Sequence, residues 1–247
     1  MSTLAGSRVL VLLLGLAAAA CTVQERSALR EPDESSRVRV ASVAEANGQP
    51  GVALSIYGAE AGNRQDDPQA QARYAAALIR AGGLAQADEV LNRALARMPN
   101  APELLVQSGR IRLLSGSPEA LSLFEGALAV VPDDAEALSG KAVALDLIGR
   151  HAEALPWHAA AAEAAPDDLA IANNRALCLM LSGRAAEAIE ILVPLARRSN
   201  APARVMNNLA LAYAATGHPA MAQRVTRDPI EKSDLQRYAQ LLQLDPS

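Results

Sequence analysis

The side chains of this chain with the widest chemical reach are three histidines, two cysteines and two pairs of asparagines. His151, His158 and His218 have no cysteine or carboxylate partner at ligand spacing, so the sequence predicts no metal site and no cofactor. No Ser/His/Asp order and no glycine-rich phosphate loop accompanies them, and no residue stands out as catalytic. Cys178 lies in an apolar helical stretch and reads as a small buried hydrophobe. Cys21 instead closes an apolar N-terminal run, a place suited to covalent modification of its thiol. The pairs Asn173-Asn174 and Asn207-Asn208 stand 34 residues apart. An amide both donates and accepts, so amides at a fixed interval can hold an extended peptide backbone whatever its side chains.

That interval belongs to the whole chain. Ala87, Ala120, Ala154, Ala188 and Ala222 recur at 33, 34, 34 and 34 residues, and Gly83, Gly116, Gly149, Gly183 and Gly217 keep step with them. Ala94, Ala127, Ala161 and Leu195 form a second series, and Ala142, Ala176 and Ala210 a third. Small residues at fixed offsets with a period near 34 are the signature of the tetratricopeptide repeat, a pair of antiparallel helices whose tight turn uses the glycine and whose close approach uses the alanine. Composition agrees: hydrophobic residues make up 51% of the chain and aromatics only 2%, so alanine, leucine, isoleucine and valine must build the core.

The sequence therefore predicts an all-α tetratricopeptide solenoid of about five to six helix-turn-helix units over 37–227. Units are expected at 68–100, 101–134, 135–168 and 169–202, with another from 203 and a degenerate first one from Arg37 to about Asp66. Residues 228–247 are expected to form a C-terminal capping helix, with Leu235, Tyr238 and Leu242 covering the apolar end that an array otherwise exposes.

The N-terminus points to the cell envelope. Residues 1–20 carry one charge, Arg8, ahead of an apolar run ending in small side chains, which is a signal peptide too short for an ordinary spanning helix. Leu16-Ala17-Ala18-Ala19-Ala20-Cys21 resembles a bacterial lipobox, with Ala18 where leucine is usual. The resemblance implies cleavage before Cys21 and lipidation of its sulfur; ordinary cleavage at the alanine run would instead release a soluble periplasmic protein. Several acyl chains, at about 0.8 kcal/mol per buried methylene, would make the anchor effectively permanent. Thr22 is not the aspartate of inner-membrane lipoproteins, which implies the periplasmic face of the outer membrane. Residues 21–36 are polar and charged and read as a flexible tether.

In such a solenoid the first helix of each unit lines the concave face. By position that face takes Arg112, Leu113, Val143, Asp146, Asn173, Asn174, Leu177, Leu181, Arg204, Asn207, Asn208 and Leu211. By resemblance to tetratricopeptide domains that bind peptides, the backbone-holding role falls on Asn174 and Asn208; the alternative is that these amides satisfy local backbone groups near helix starts. A net charge of -4 with scattered acidic and basic residues gives no basic footprint for nucleic acid, and nothing points to a small-molecule substrate.

The stretches GKAVALDLIGRHAEAL, NNRALCLMLSGRAAEAIEIL and RVMNNLALAYAATGHPAMAQRVTRDPI, with the closing Arg227-Asp228, resemble the TadD family of tetratricopeptide lipoproteins of the tight-adherence (Tad) pilus assembly system. The resemblance spans roughly residues 50–245. It implies a non-enzymatic adaptor at the outer membrane whose protein partner is a secretin or another pilus-assembly component. The alternatives are a scaffold for cell-wall enzymes or outer-membrane biogenesis, and a helper subunit of an envelope enzyme such as a polysaccharide synthase.

Overall fold

The computed structural model describes residues 34–225, and these form twelve α-helices in six hairpins. In chain order they are α1 (Glu34–Ala46), α2 (Pro50–Asn63), α3 (Pro68–Arg80), α4 (Leu84–Arg97), α5 (Pro102–Leu114), α6 (Glu119–Val130), α7 (Ala135–Leu147), α8 (His151–Ala164), α9 (Leu169–Leu181), α10 (Ala185–Ala196), α11 (Ala203–Ala215) and α12 (Pro219–Val225). Helix α1 starts at Glu34, within the segment expected as tether, and the degenerate first unit is a folded hairpin. The signal peptide, Cys21 and the expected capping helix at 228–247 lie outside the described residues.

Local chemistry sets where each helix starts and stops. Asp67, Asp134 and Asp168 cap α3, α7 and α9: their carboxylates accept from the first-turn N–H groups of Gln69 and Ala70, of Ala137, and of Ala170 and Ile171. The turn inside each hairpin closes on a glycine in the left-handed region, at Gly48, Gly82, Gly116, Gly149, Gly183 and Gly217. The N–H after each glycine reaches back five residues to a helix carbonyl, as in Arg184 N–H to Leu179 O at 2.8 Å, while the glycine N–H bonds the carbonyl three residues back. This is the Schellman closure, and its positive φ is what requires glycine. In the second hairpin that residue is Gly82, not Gly83 of the periodic series.

The alanine series are the contacts that let the helices approach. Ala53, Ala87, Ala120, Ala154, Ala188 and Ala222 are all buried, as are Ala94, Ala127 and Ala161 in the second helices and Ala75, Ala142, Ala176 and Ala210 in the first. Each helix packs on its chain neighbours, and α3, α5, α7, α9 and α11 also pack side by side, which makes the first helices one wall of the solenoid. The only phenylalanine, Phe124 of α6, fits against this wall because Gly109 of α5 and Gly140 of α7 leave room for its ring.

The first hairpin is tied to α3 by charge as well as by packing, through Glu34 to Arg73 and Glu45 to Arg80. Within the hairpin Arg37 pairs with Glu60, and Glu34 also reaches Arg64 at the end of α2. Among the described residues no helix is long and apolar enough to cross a membrane.

Candidate functional site: the concave wall

The wall of first helices carries a groove with two chemically different stretches. Toward the N-terminus a cleft of about 350 Å³ lies between α3, α5 and α7, and Arg73, Arg80, Glu103, Gln107, Arg110 and Glu136 supply its polar groups. Its floor is cross-linked, since Arg110 reaches both Gln107 and Glu136, at 3.4 and 3.6 Å, and Gln107 Nε2 donates to Glu136. The next cleft, about 260 Å³ between α5, α7 and α9, shares Arg110 and Glu136 with the first and includes Asp168, but Leu113, Val143 and Ile171 make it the more apolar of the two, and Asn174 also lines it. Leu114 and Leu147 continue this apolar stretch one helical turn on from Arg110 and Val143, and they are 62% and 60% exposed. These exposed leucines stand in register on neighbouring units and extend the apolar lining of the cleft.

The expected groove residues divide by environment. Asn174 lines the apolar cleft, half-buried, and its amide makes no hydrogen bond among the described residues. Asn173 points inward: it is 3% exposed, and its Oδ1 accepts from Asn208 Nδ2 at 3.0 Å, which joins α9 to α11. Asn208 thus spends one donor on the neighbouring unit and keeps its oxygen free, while Asn207 and Arg204 are exposed on α11. Leu177 is exposed, and Leu181 and Leu211 are half-buried.

Besides the inward-turned Asn173, two further residues assigned to this face by position do not belong to it. Arg112 turns toward the second helices, pairing with Asp88 at 3.0 Å and Glu119 at 3.3 Å. Asp146 turns into the layer between α7, α8 and α9, where its two oxygens lie 2.8 Å from His151 Nδ1 and 2.8 Å from His158 Nε2. The groove register is instead Arg110, Val143, Leu177 and Leu211.

Around Asp146 the structure assembles what the spacing along the chain did not indicate. His158 and Cys178 are both fully buried, and one ligand atom from each lies within 4.8 Å of an Asp146 oxygen and of the other. Cys178 Sγ also donates to the carbonyl of His151 at 3.7 Å. Burial works to raise the Asp146 carboxyl, but hydrogen bonds from His158, His151 and Cys178 outweigh it and hold the group below the usual carboxylate range. Burial and then the Asp146 charge push the Cys178 thiol up to about 12, so the sulfur is a protonated donor and not a nucleophile.

No protein-family model and no curated protein matches the sequence. Solved structures do. A tetratricopeptide repeat protein from Parabacteroides merdae is 16% identical over 89% of this chain and 88% of its own, with a TM-score of 0.60. A thermophilic tetratricopeptide protein of Thermus thermophilus is 20% identical over 85% of this chain and 99% of its own, with a TM-score of 0.57. The structure reported for functional characterization of Pseudomonas aeruginosa pilF is 14% identical over 82% of this chain and 96% of its own, with a TM-score of 0.61. At these identities the likeness is one of fold. Twelve paired helices, the period near 34 and these neighbours together make the chain an all-α tetratricopeptide solenoid.

Proposed function

We propose that this chain is a non-enzymatic, lipid-anchored periplasmic adaptor that holds an extended segment of a protein partner along its concave wall. The observation that carries the reading is the groove itself: a charged stretch over α3 to α7 runs into an apolar stretch over α5 to α9, with the unpaired Asn174 amide between neighbouring helices. A segment with a polar part followed by an apolar part would match both stretches. Asn174 would hold its backbone, and Asn208 would offer its remaining oxygen.

The partner and the place come from the sequence. The lipobox-like run ending at Cys21 supports attachment at the outer membrane, and the resemblance to the TadD family supports a secretin or another component of a Tad-type pilus as the bound protein. Crosslinking in intact cells, followed by solubilisation of the outer membrane and mass spectrometry, tests this with Cys21→Ala as comparator. Recovery of a secretin or pilus subunit that falls in the variant is expected. Recovery of wall hydrolases or polysaccharide enzymes with no pilus component would overturn the pilus assignment.

A further inference from the structure

One layer of this solenoid departs from the rest. Asp146 stands where the other first helices carry Ile79, Leu113, Met180 and Ala214. His158 stands where the second helices carry Leu91, Phe124 and Leu192, and Cys178 where the first helices carry Ala77, Ile111, Ala144 and Ala212. The first hairpin carries Glu45 and Tyr57 at the first two places, but the units on either side of this layer fill all three with apolar side chains. Burying a carboxylate and an imidazole is costly unless both are fully partnered, so packing alone gives no reason for three polar replacements to converge.

They do converge, and with the donor chemistry of a metal centre. One ligand atom each from Asp146, His158 and Cys178 lies within 4.8 Å of the other two. The His158 ring is fully buried with Nε2 turned to Asp146 Oδ2 at 2.8 Å, so Nε2 is the nitrogen placed to ligate an ion here. His151 holds the second oxygen of Asp146 at 2.8 Å, the arrangement by which outer groups orient a metal-binding carboxylate. The cluster is not sealed: the Asp146 and His151 side chains are 12% and 23% exposed, which leaves a way in from that side.

We propose that Asp146, His158 and Cys178 bind one zinc-class divalent ion, with His151 orienting Asp146, and that the ion clamps α7, α8 and α9 together. A mixed set of oxygen, nitrogen and sulfur donors suits zinc, whose bonds of roughly 2.0–2.3 Å need only a modest inward rotation of side chains already gathered here. The thiol loses its proton as the ion enters. The site belongs to the solenoid layer and not to the groove, so it stands whether or not the adaptor reading does.

The test uses the full chain in detergent, stripped with a chelator, in a Cys21→Ser background that leaves Cys178 as the only thiol. Titration with Co²⁺ should produce a thiolate-to-cobalt charge-transfer band that saturates at one ion per chain and is displaced by Zn²⁺. The repeat itself supplies substitutions that fit: Cys178→Ala should abolish the band, and Asp146→Met and His158→Leu should each weaken Zn²⁺ binding at least about 10-fold, the low end of what even an outer partner contributes. His151→Ala should keep the band and lose about 10- to 100-fold in affinity. Independently of any variant, Zn²⁺ should slow alkylation of Cys178 under partly denaturing conditions and raise the melting temperature. No cobalt band and no protection of Cys178 would overturn the proposal and leave a hydrogen-bonded cluster only. Binding that persists unchanged in both Asp146→Met and His158→Leu would place the ion elsewhere and overturn it equally.

Discussion

Replacing Gly140 with alanine should damage this protein, although alanine is the better helix former. A Cβ built at Gly140 would stand 2.2, 2.4 and 2.6 Å from Cε1, Cζ and Cδ1 of Phe124. Carbon atoms settle at about 3.5–4.0 Å, so the ring would have to retreat by more than about 1 Å. It has little room to retreat, because Phe124 is fully buried and its tip also rests on Gly109, where a Cβ would be 2.7 Å from Cζ. Overpacking of this kind costs about 1–3 kcal/mol, and a fully buried ring held between two helices belongs at the upper end. The helix gains about 1 kcal/mol from losing glycine, which leaves a net loss of about 2 kcal/mol and a fall in melting temperature of about 4–8 °C for a chain of this size. Circular dichroism melts of a double-mutant cycle measure it. Phe124→Leu, the residue found at Leu91 and Leu192, removes the ring, and in that background Gly140→Ala should cost nothing or stabilise slightly. A single Gly140→Ala variant that melts at or above the parent, or an equal loss in both backgrounds, would refute the reasoning.

Two further outcomes follow from particular contacts. Asn208→Ala leaves the buried Asn173 oxygen without its donor and should cost about 1–2 kcal/mol in urea titration, whereas Asn174→Ala should stay within about 0.5 kcal/mol of the parent and weaken partner binding instead. Glu34 is held below the usual carboxylate range by its hydrogen bond to Arg64 and by Arg73. A carboxyl depressed in the folded state stabilises above its unfolded value and loses that stabilisation as pH falls through its folded value. Amide protection, taken relative to the intrinsic exchange rate at each pH, should therefore be lost in α1 before the later helices as the solution is acidified below the ordinary carboxylate range. Equal loss of protection throughout would show that the pairing does not secure this hairpin.

The repeat was legible because close helix approach and positive φ each admit few residue types. All three alanine series mark buried helix contacts, and Gly116, Gly149, Gly183 and Gly217 each close a turn. The reading slipped where two residues were equally suited: Gly82 and Gly83 are adjacent, and only the backbone bond from Gly83 N–H to Leu78 O identifies Gly82 as the left-handed one. The 34-residue repeat of the asparagines was legible, but not that Asn173 turns inward or that Arg112 and Asp146 leave the face, because these directions depend on partners from other helices. The Asp146, His158 and Cys178 cluster was illegible for a related reason. Its members are 12 and 20 residues apart on three different helices, and stacking of units, not helical spacing, brings them together. A comparison of each residue with its counterpart one period away would have flagged all three as polar among apolar.

The central claim is that a protein segment lies along the concave wall, and a photo-crosslinking side chain placed at Leu177 tests it most directly in living cells. Its control is the same side chain at Glu190, exposed on the second helix α10. The account predicts one discrete crosslinked partner from Leu177, lost when Asn174→Ala is added, and none from Glu190. Crosslinking from Glu190 with none from Leu177 would contradict it and move the binding surface to the outer face of the solenoid.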